Sequence, residues 1–509
     1  MPTPTGKSHL GASMKTALPS VPDMIFLMAA SIFGVGGAVR LTQSDGDLAA
    51  HIRMGEWIIA MRQLPAHSLA SYTVGGEALV APAWLSEVLF ALLFRAGGLP
   101  LIAIVTGLVI GLTHGLIALF LRRRGVDPRI ILVGVIASVF LGASHWLARP
   151  HMFSIPGALI TLLLLESGKP RTKVIWFFPL FALWANLHGG WLFGLMLIGA
   201  YTVAEAGEAW LGTDRQAWLD RARAHAVSLA VAAMATLANP YGVRLYREVF
   251  GAVTSVSLAT SIDEYMSPNF HELANLPLLA AILTIVAVLA LTPRRMPLPW
   301  LAVSGMGLLF ALNASRNVAL FGVTAVPLLV LYASGPARPR TFPLFADFAR
   351  REAEAGVGRW ALAVTVLLLA LGLNRGSVGG VSLIADRFDA KKFPVEAVRR
   401  SRDAGLQGRI FDPWIWGGYM MYAWPGSALH VDPLKFSQLT IDSHTRIESL
   451  RPGWKSELAR WNVELAIVET GSELDSALSL EPDWTRWYKD STAVVLRRKA
   501  DETLSPQRE

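Results

Sequence analysis

Residues Leu101–Leu121 read LIAIVTGLVIGLTHGLIALFL, and His114 is the only ionisable side chain among them. A helix of about 20 apolar residues crosses the roughly 30 Å hydrocarbon core of a bilayer. Comparable runs are Ile130–Leu147, Leu276–Leu291 and Trp360–Leu373. These runs are continuous, whereas the strands of a membrane β-barrel alternate between apolar and polar residues. The sequence therefore predicts a polytopic α-helical membrane protein.

The composition supports this class. Of 509 residues, 53% are hydrophobic and 17% are charged, against about 25% charged residues in an ordinary soluble domain. The net charge of +8 comes from basic clusters between apolar runs, where they orient a membrane protein. We therefore expect no nucleic-acid partner. The absence of cysteine excludes disulfides and thiolate chemistry.

Five basic clusters set the predicted orientation: Arg122–Arg124, Lys169–Lys173, Arg215–Arg223, Arg294–Arg295 and Arg338–Arg351. About eleven spans place all five on one side, which the positive-inside rule assigns to the cytoplasm. The N-terminus then lies inside and the C-terminus outside. Trp84–Phe94 is short for a span, and we expect it at the membrane surface.

A change in composition near residue 376 predicts a small soluble α/β domain after the last span. Strand-like runs such as Ala466–Val468 and Ala493–Leu496 follow helix-like stretches such as Ser456–Trp461. The predicted organisation is a cytoplasmic tail, residues 1–22, a membrane domain, 23–375, and the α/β domain, 376–509. The first outer loop is 42–83.

Polar side chains concentrate at the ends of the spans on the outer side. Ionisable groups near a bilayer are costly and mark functional sites, and a transport path would place them mid-span. The spans are expected to be nearly free of such groups, with His114 as the main exception, satisfied among packed helices. A polar cluster on one face favours an enzyme working at that interface.

The first outer loop carries the densest set, SDGDLAAHIRMGEW at Ser44–Trp57. Asp45-Gly46-Asp47 precede an amphipathic stretch, Leu48–Gln63, followed by Ser71–Thr73 and Trp84–Glu87. This order resembles the GT-C superfamily, membrane glycosyltransferases that use polyprenyl-phosphate sugars. The D-x-x-x-H-x-R spacing of Asp47, His51 and Arg53 is similar to the D-x-x-x-N-x-R loop of oligosaccharyltransferase catalytic subunits.

Four further segments resemble bacterial proteins usually grouped with GT-C enzymes: Arg149–Ser154, Trp184–Gly190, Asn239–Gly242 and Ser315–Phe321. The chain has Asp-Leu where the sugar-to-lipid-A and protein mannosyltransferase branches have Asp-Glu. The resemblance covers residues 20–375.

The resemblance implies a multi-pass protein of the bacterial cytoplasmic (inner) membrane with a periplasmic C-terminal domain. It would transfer a hexose or pentose from a polyprenyl-phosphate donor to a glycan or lipid acceptor of the cell envelope, within polysaccharide biosynthesis. Two alternatives stay open: a flippase or transporter for lipid-linked glycans, and a non-catalytic partner in envelope-glycan assembly. The assembly partner would tolerate replacement of both Asp45 and Asp47.

Sugar transfer needs a base for the acceptor hydroxyl and stabilisation of the leaving phosphate. Asp47 is the first candidate base, since burial at a membrane rim raises the pKa of a carboxylate. Asp45 is the alternative base, or a ligand with Asp47 of a divalent metal, Mg²⁺ or Mn²⁺. Helix capping is the structural explanation of either carboxylate. Arginine binds phosphate through its planar fork, and the candidates are Arg316, Arg149 and Arg53.

Six further residues complete the predicted substrate-binding set: His51, Glu87, His151, Asn186, His188 and Asn317. Packing is the alternative role of the two histidines at 151 and 188. A buried Glu87 needs a partner, and His51 or Arg53 can supply it. The histidine spacing matches no zinc motif.

Two groups outside this set keep alternative interpretations. Asp263–Tyr265 belongs either to an acceptor cleft or to a simple surface helix. Trp414, Trp416 and Trp424 are expected in the core of the C-terminal domain rather than on a sugar-binding face. Exposed aromatics would instead place Asp412 and Asp432 along a glycan groove.

Overall fold

The computed structural model describes residues 18–44, 46–74, 76–212, 214–255, 260, 262–335, 348, 351–352, 354–435 and 437–499. Asp45 therefore lies outside the described residues. So do most of the predicted cytoplasmic tail and most of the basic cluster Arg338–Arg351. The chain divides into two compact units, each built from two separate stretches: Met1–Leu41 with Gly97–Ala385, and Thr42–Ala96 with Asp386–Glu509.

The first unit is almost entirely helical, as the apolar runs predict. Its helices are α1 (Val21–Ser31, continued by the π-helical turn Ile32–Gly36), the start of α2 (Ala38–Gln43), the second part of α4 (Trp84–Arg123), α5 (Pro128–Leu141), α6 (Ser154–Leu165), α7 (Pro170–Leu187), α8 (Trp191–Leu211), α9 (Arg215–Ala235), α10 (Arg244–Val253), α11 (Leu276–Leu291), α12 (Leu298–Asn313), α13 (Val318–Ser334) and α14 (Arg359–Leu373). A short hairpin, β1 (Ser377–Val378) and β2 (Val381–Ser382), follows α14.

Four helices in the described part are long and apolar enough to cross a membrane: Trp84–Arg123, Trp191–Leu211, Leu273–Leu291 and Ser315–Ser334. Five shorter apolar helices accompany them: Val21–Gly36, Pro128–Leu141, Pro150–Leu165, Leu298–Asn313 and Arg359–Leu373. The mostly helical membrane class is thereby confirmed.

Two helix boundaries differ from the apolar runs. The run Ile130–Leu147 is α-helical only to Leu141 and continues as a 3₁₀ turn, Ala143–His145, with the Trp146 ring packed against Gly142. Helix α4 breaks at Gly97 (φ −153°) and Gly98 (φ +66°), a left-handed conformation that favours glycine. Residues of α4 before this break belong to the second unit.

Buried charge inside the first unit corrects one prediction. His114 is satisfied as expected, with its Nδ1 2.8 Å from the carbonyl oxygen of Ile110. It is not the main ionisable group within a span, however, because Glu205 in α8 is fully buried. The Glu205 carboxylate lies 2.7 Å from His225 Nδ1 and 2.8 Å from Arg221 Nε, both on α9. Pairing of this kind makes a buried carboxylate tolerable.

The second unit is a three-layer α/β structure. Its elements are the end of α2, α3 (Asp47–Met61), the first part of α4, α15 (Val395–Asp403), β3 (Arg409–Phe411), α16 (Trp414–Ala423), β4 (Ala428–Leu429), α17 (Gln438–Glu448), α18 (Trp454–Arg460), β5 (Val463–Glu469), α19 (Glu473–Ser479), β6 (Trp484–Lys489) and β7 (Ala493–Arg498). The five-stranded sheet has the order β4-β3-β5-β7-β6. Strands β3, β4 and β5 are parallel, and β7 is antiparallel to both β5 and β6.

Both faces of this sheet are buried, as the continuous apolar runs of β5 and β7 predict. One face packs on α3, α15 and α16 through Met54, Ala397, Met420 and Leu465. The other packs on α17, α18 and α19 through residues such as Leu458 and Val494. The strand and helix predictions for the C-terminal segment are confirmed, and α3, from the first outer loop, forms part of one layer.

Candidate functional site

The acidic segment of the first outer loop begins a helix in the second unit. Asp47 is the first residue of α3 and is half-buried, while Gly46 before it is buried. A carboxylate in the first turn lies at the positive end of the helix dipole. Gly46 is the N-cap residue of α3, so the structural role open to Asp47 is a favourable interaction with the helix dipole and not capping. The choice between Asp47 and Asp45 as the base stays a prediction.

Glu87 pairs with His51, which was one of the two partners expected. Glu87 is 3% exposed, and its Oε1 lies 3.4 Å from His51 Nδ1. His51 is one helical turn after Asp47, so both side chains lie on one side of α3. Arg53, two residues beyond His51, lies on the opposite side of the helix. The structure thus pairs His51 with Glu87, and Asp47 lies one helical turn before His51 on α3.

Two arginines of the first unit converge on one carboxylate. Arg149 Nη1 lies 3.4 Å from Glu264 Oε2, and Arg316 Nη1 lies 3.5 Å from Glu264 Oε1. The Arg316 guanidinium also stacks 4.3 Å from the centre of the Tyr265 ring. All three charged side chains are only partly exposed. We call Arg149, Arg316 and Glu264, with the neighbouring His145, His151 and His188, the arginine cluster.

A short loop holds Glu264 between the arginines. The Ser315 backbone amide donates to the Met266 carbonyl at 2.9 Å. The Ser315 hydroxyl donates to the carbonyls of Asp263 and Glu264, each at 3.2 Å. The 3₁₀ turn Asp263–Tyr265 is thus fixed beside Arg316 rather than lying as an independent surface helix.

Three histidines extend the arginine cluster. The ring centres of His145 and His151 are 6.0 Å apart, and those of His151 and His188 are 6.4 Å apart. His151 Nε2 lies 2.8 Å from the carbonyl oxygen of His145 and donates to it. His188 Nδ1 lies 2.7 Å from the Ser154 hydroxyl, which accepts from Trp184 Nε1 at 2.8 Å. The two predicted histidines are therefore neighbours with fixed rings.

The charge states in this cluster follow from its geometry. Burial alone would raise the pKa of the Glu264 carboxyl, but the guanidinium groups of Arg316 and Arg149 outweigh it and lower that pKa. Burial lowers the pKa of His145 to about 3, and the neighbouring His151 acts in the same direction. Two guanidinium cations thus flank the Glu264 carboxylate, which stays ionised between them.

The two predicted asparagines have structural partners. The Asn186 amide donates to the carbonyls of Ala182 and Ala238, both at 2.8 Å, and joins the end of α7 to the segment after α9. The Asn317 amide donates to the Phe310 carbonyl at 3.1 Å, across the turn between α12 and α13. These bonds position the backbone next to His188 and Arg316.

Glu264 and His145 belong to the arginine cluster although neither was among the predicted site residues. The acidic triplet Asp263–Tyr265 in a long outer loop was the available signal for Glu264. His145 lies four residues before Arg149 and had no spacing motif of its own. A pairing across 115 residues, as between Arg149 and Glu264, leaves no local pattern.

The residues that the structure describes include no group of three or more His, Asp or Glu side chains arranged to hold a metal ion. Asp45, one of the two predicted ligands, is outside that set.

A second polar cluster lies in the second unit. Asp412, His430 and His444 are 0%, 0% and 2% exposed. The Tyr72 hydroxyl lies 2.9 Å from His430 Nδ1, and the rings of His430 and His444 are 6.0 Å apart. We call these four residues the sealed cluster.

Burial favours the uncharged forms of Asp412, His430 and His444 in the sealed cluster. Burial raises the pKa of Asp412 well above its usual range. Burial also lowers the pKa of His430 and of His444 to about 3. Trp416 and Trp424 nearby are buried in the core, as expected. Since Asp412 and Asp432 are buried too, the alternative of an open glycan groove along them is wrong.

Comparisons with known proteins identify the fold. No protein-family model and no curated protein sequence matches the chain. Among solved structures, archaeal oligosaccharyltransferase AglB from Archaeoglobus fulgidus, in complex with an inhibitory peptide and a dolichol-phosphate, matches 98% of this chain and 76% of its own, with a TM-score of 0.54 and 10% identity. ArnT from Cupriavidus metallidurans, bound to undecaprenyl phosphate, matches 97% of this chain and 99% of its own, with a TM-score of 0.50 and 12% identity.

Both of these proteins are GT-C glycosyltransferases. At such low identity the likeness is one of fold alone, and it extends over nearly the whole chain. The resemblance stated from the sequence is thereby confirmed.

Proposed function

We propose that the protein is a membrane glycosyltransferase that moves a sugar from a polyprenyl-phosphate donor to a glycan or lipid acceptor of the cell envelope. The arginine cluster is the observation that carries the proposal. Arg149 and Arg316 both contact Glu264 and so bring two guanidinium groups together at one place in the first unit. Guanidinium groups bind phosphate through paired N–H donors, which suits the phosphate of a lipid-linked sugar.

The proposed reaction assigns separate roles to the acidic residue and to the arginines. Asp47 accepts the proton of the acceptor hydroxyl as its oxygen forms a bond to the anomeric carbon of the sugar. The bond between that carbon and the phosphate oxygen breaks, and the electron pair leaves with the phosphate. Arg149 and Arg316 stabilise the charge that develops there. His151 and His188 hydrogen-bond the sugar or the phosphate, and the Glu87–His51 pair orients α3 beside Asp47.

The proposed topology has eleven spans in the inner membrane of a bacterium. Nine apolar helices are observed in the described part, and α7 and α9 complete the count. The N-terminus then lies in the cytoplasm, and Trp84–Phe94 lies at the membrane surface. The arginine cluster and the C-terminal domain face the periplasm. The apolar surface of α11, where Leu283 is 62% and Val286 is 60% exposed, suits contact with lipid.

The test compares lipid-linked intermediates and surface glycans by mass spectrometry in a deletion strain. The strain is complemented with wild type, Asp47→Asn, Asp45→Asn or Arg316→Ala, at matched protein levels. We expect Arg316→Ala and one of the two aspartate variants to leave a glycan one sugar short, with the polyprenyl-phosphate sugar accumulating.

Two other outcomes would contradict the proposal. Wild-type glycans with both aspartate variants would favour an assembly partner without catalysis. A finished lipid-linked glycan that accumulates on the cytoplasmic side would favour a flippase. The buried Glu205–His225 pair would then be the candidate for the transport path.

A further inference from the structure

The backbone just before Asp47 lies against the backbone of α16. A methyl group at Gly418 would overlap the carbonyl oxygen of Gly46 and lie 3.2 Å from the Asp47 amide nitrogen. In return, a methyl group at Gly46 would lie 2.8 Å from the Ile415 carbonyl oxygen and 3.0 Å from the Tyr419 amide nitrogen. Contacts this short need glycine on both sides, since any side chain forces the two segments apart.

The rest of α3 also packs against α16. Ala50, Met54 and Ile58 form the buried stripe of α3 and belong to one core with Trp416 and Met420 of α16. A shift of α16 therefore moves α3 as a body, because close-packed side chains transmit displacement.

The segments on both sides of α3 are also tied to the C-terminal part of the chain. Before α3, the Gln43 amide donates to the Arg387 carbonyl at 3.0 Å and accepts from the Asp389 amide at 2.8 Å. After α3, residues 70–72 extend the sheet as a strand parallel to β4. There the Leu429 amide donates to the Ala70 carbonyl at 2.9 Å, and the Tyr72 amide donates to the Leu429 carbonyl at 3.1 Å.

We propose that α16 sets the position of Asp47 through the backbone contact between Gly46 and Gly418, so that Gly418 is a positioning residue for the base. The inference rests on the function proposed above, in which Asp47 takes the acceptor proton. It gives the C-terminal domain a role in the reaction without direct contact with substrate. A misplacement of about 1 Å at a reacting group can cost about 100-fold in rate.

A spin label next to the acidic segment tests the position directly. The chain has no cysteine, so Ser44→Cys, at an exposed site, gives a single labelling position in the full-length protein. We expect the electron paramagnetic resonance spectrum in lipid nanodiscs to change with Gly418→Ala and not with Gly76→Ala. Gly76 is a matched control because it lies in the same outer loop and a methyl group there meets nothing within 4 Å.

The same proteins are then compared in the complemented deletion strain. Gly418→Ala should lower the amount of completed glycan roughly 10- to 100-fold at matched protein level, while Gly76→Ala should match wild type. Gly46→Ala adds a methyl group to the other segment of the same contact and should change both the spectrum and the amount of glycan in the same way. Gly46→Ala is the test variant if size-exclusion chromatography shows that Gly418→Ala does not fold.

Asp47→Asn separates failure of the inference from failure of the proposed function. The positioning role alone is overturned if Asp47→Asn loses the glycan while both glycine variants keep the wild-type spin-label spectrum or the wild-type glycan. Wild-type glycan with Asp47→Asn overturns the base assignment, and the positioning role falls with it.

Discussion

The arginine cluster and the sealed cluster contain similar residue types in opposite electrostatic states. In the arginine cluster, two guanidinium groups flank one carboxylate, and the charged side chains are partly exposed. In the sealed cluster, Asp412, His430 and His444 are buried, and burial shifts each pKa in the direction that favours the neutral form. Buried neutral groups suit packing, whereas partly exposed guanidinium groups can bind an anion. Histidine and acidic residues alone therefore do not distinguish a binding site from a core.

The largest effect should come from removing a charge of the arginine cluster. Arg316→Ala should reduce sugar transfer by about 100- to 1000-fold, since truncating one partner of a charge-assisted bond costs about 2–5 kcal/mol. Arg316→Lys should restore only part of the loss, because an ammonium lacks the planar fork. Arg247→Ala, at an exposed arginine of α10, is the control. Normal transfer by Arg316→Ala would assign the cluster to structure.

The sealed cluster should respond to pH rather than to substrate. The Asp412 pKa is raised in the folded state, so wild type loses stability as pH rises above about 4, toward that pKa. Asparagine carries no proton to lose, so the stability advantage of Asp412→Asn should grow by about 1.4 kcal/mol per pH unit. His430 and His444 are destabilising below about pH 6.5 in both proteins and cancel in the difference. Hydrogen exchange of the backbone amides of β3 and β5 measures this difference in stability between the two proteins. A difference that does not change with pH would mean that Asp412 is ionised in the folded protein.

An intermediate effect is expected at the carboxylate between the arginines. Glu264→Gln keeps the size of the side chain and removes the anion that repels a phosphate. Undecaprenyl phosphate should then bind about tenfold more tightly, equal to about 1.4 kcal/mol, as measured by native mass spectrometry in detergent. Glu272→Gln, in the same loop and exposed, should bind like wild type. Weaker binding by Glu264→Gln would show that the carboxylate orients the arginines instead.

The smallest effect should come from one hydrogen bond of the sealed cluster. Tyr72→Phe removes the hydroxyl that pairs with His430 Nδ1, at a cost of about 1 kcal/mol, the typical net value of one such hydrogen bond. The melting temperature of the full-length protein should fall, with phosphate binding unchanged. A loss of phosphate binding with an unchanged melting temperature would remove the contrast between the two clusters.

The sequence by itself determined the class of the protein and the type of its elements. Continuous apolar runs define helices that need no partner for their backbone groups, so α11 and α14 were predicted within one residue of their observed ends. Short continuous apolar runs likewise predicted β5 and β7. The motifs around Asp47, Arg149, His188 and Arg316 were also visible, because the chemistry of charge near a membrane restricts which residues occur there.

Only the tertiary structure decided which of these residues meet. Glu264 joins Arg149 and Arg316, and Gly46 meets Gly418 more than 370 residues later in the chain. Likewise, residues 70–72 become an edge strand of a sheet that is otherwise formed after residue 408. Such contacts depend on the path of the backbone and on close packing between distant segments. Local composition and residue spacing do not predict either of these.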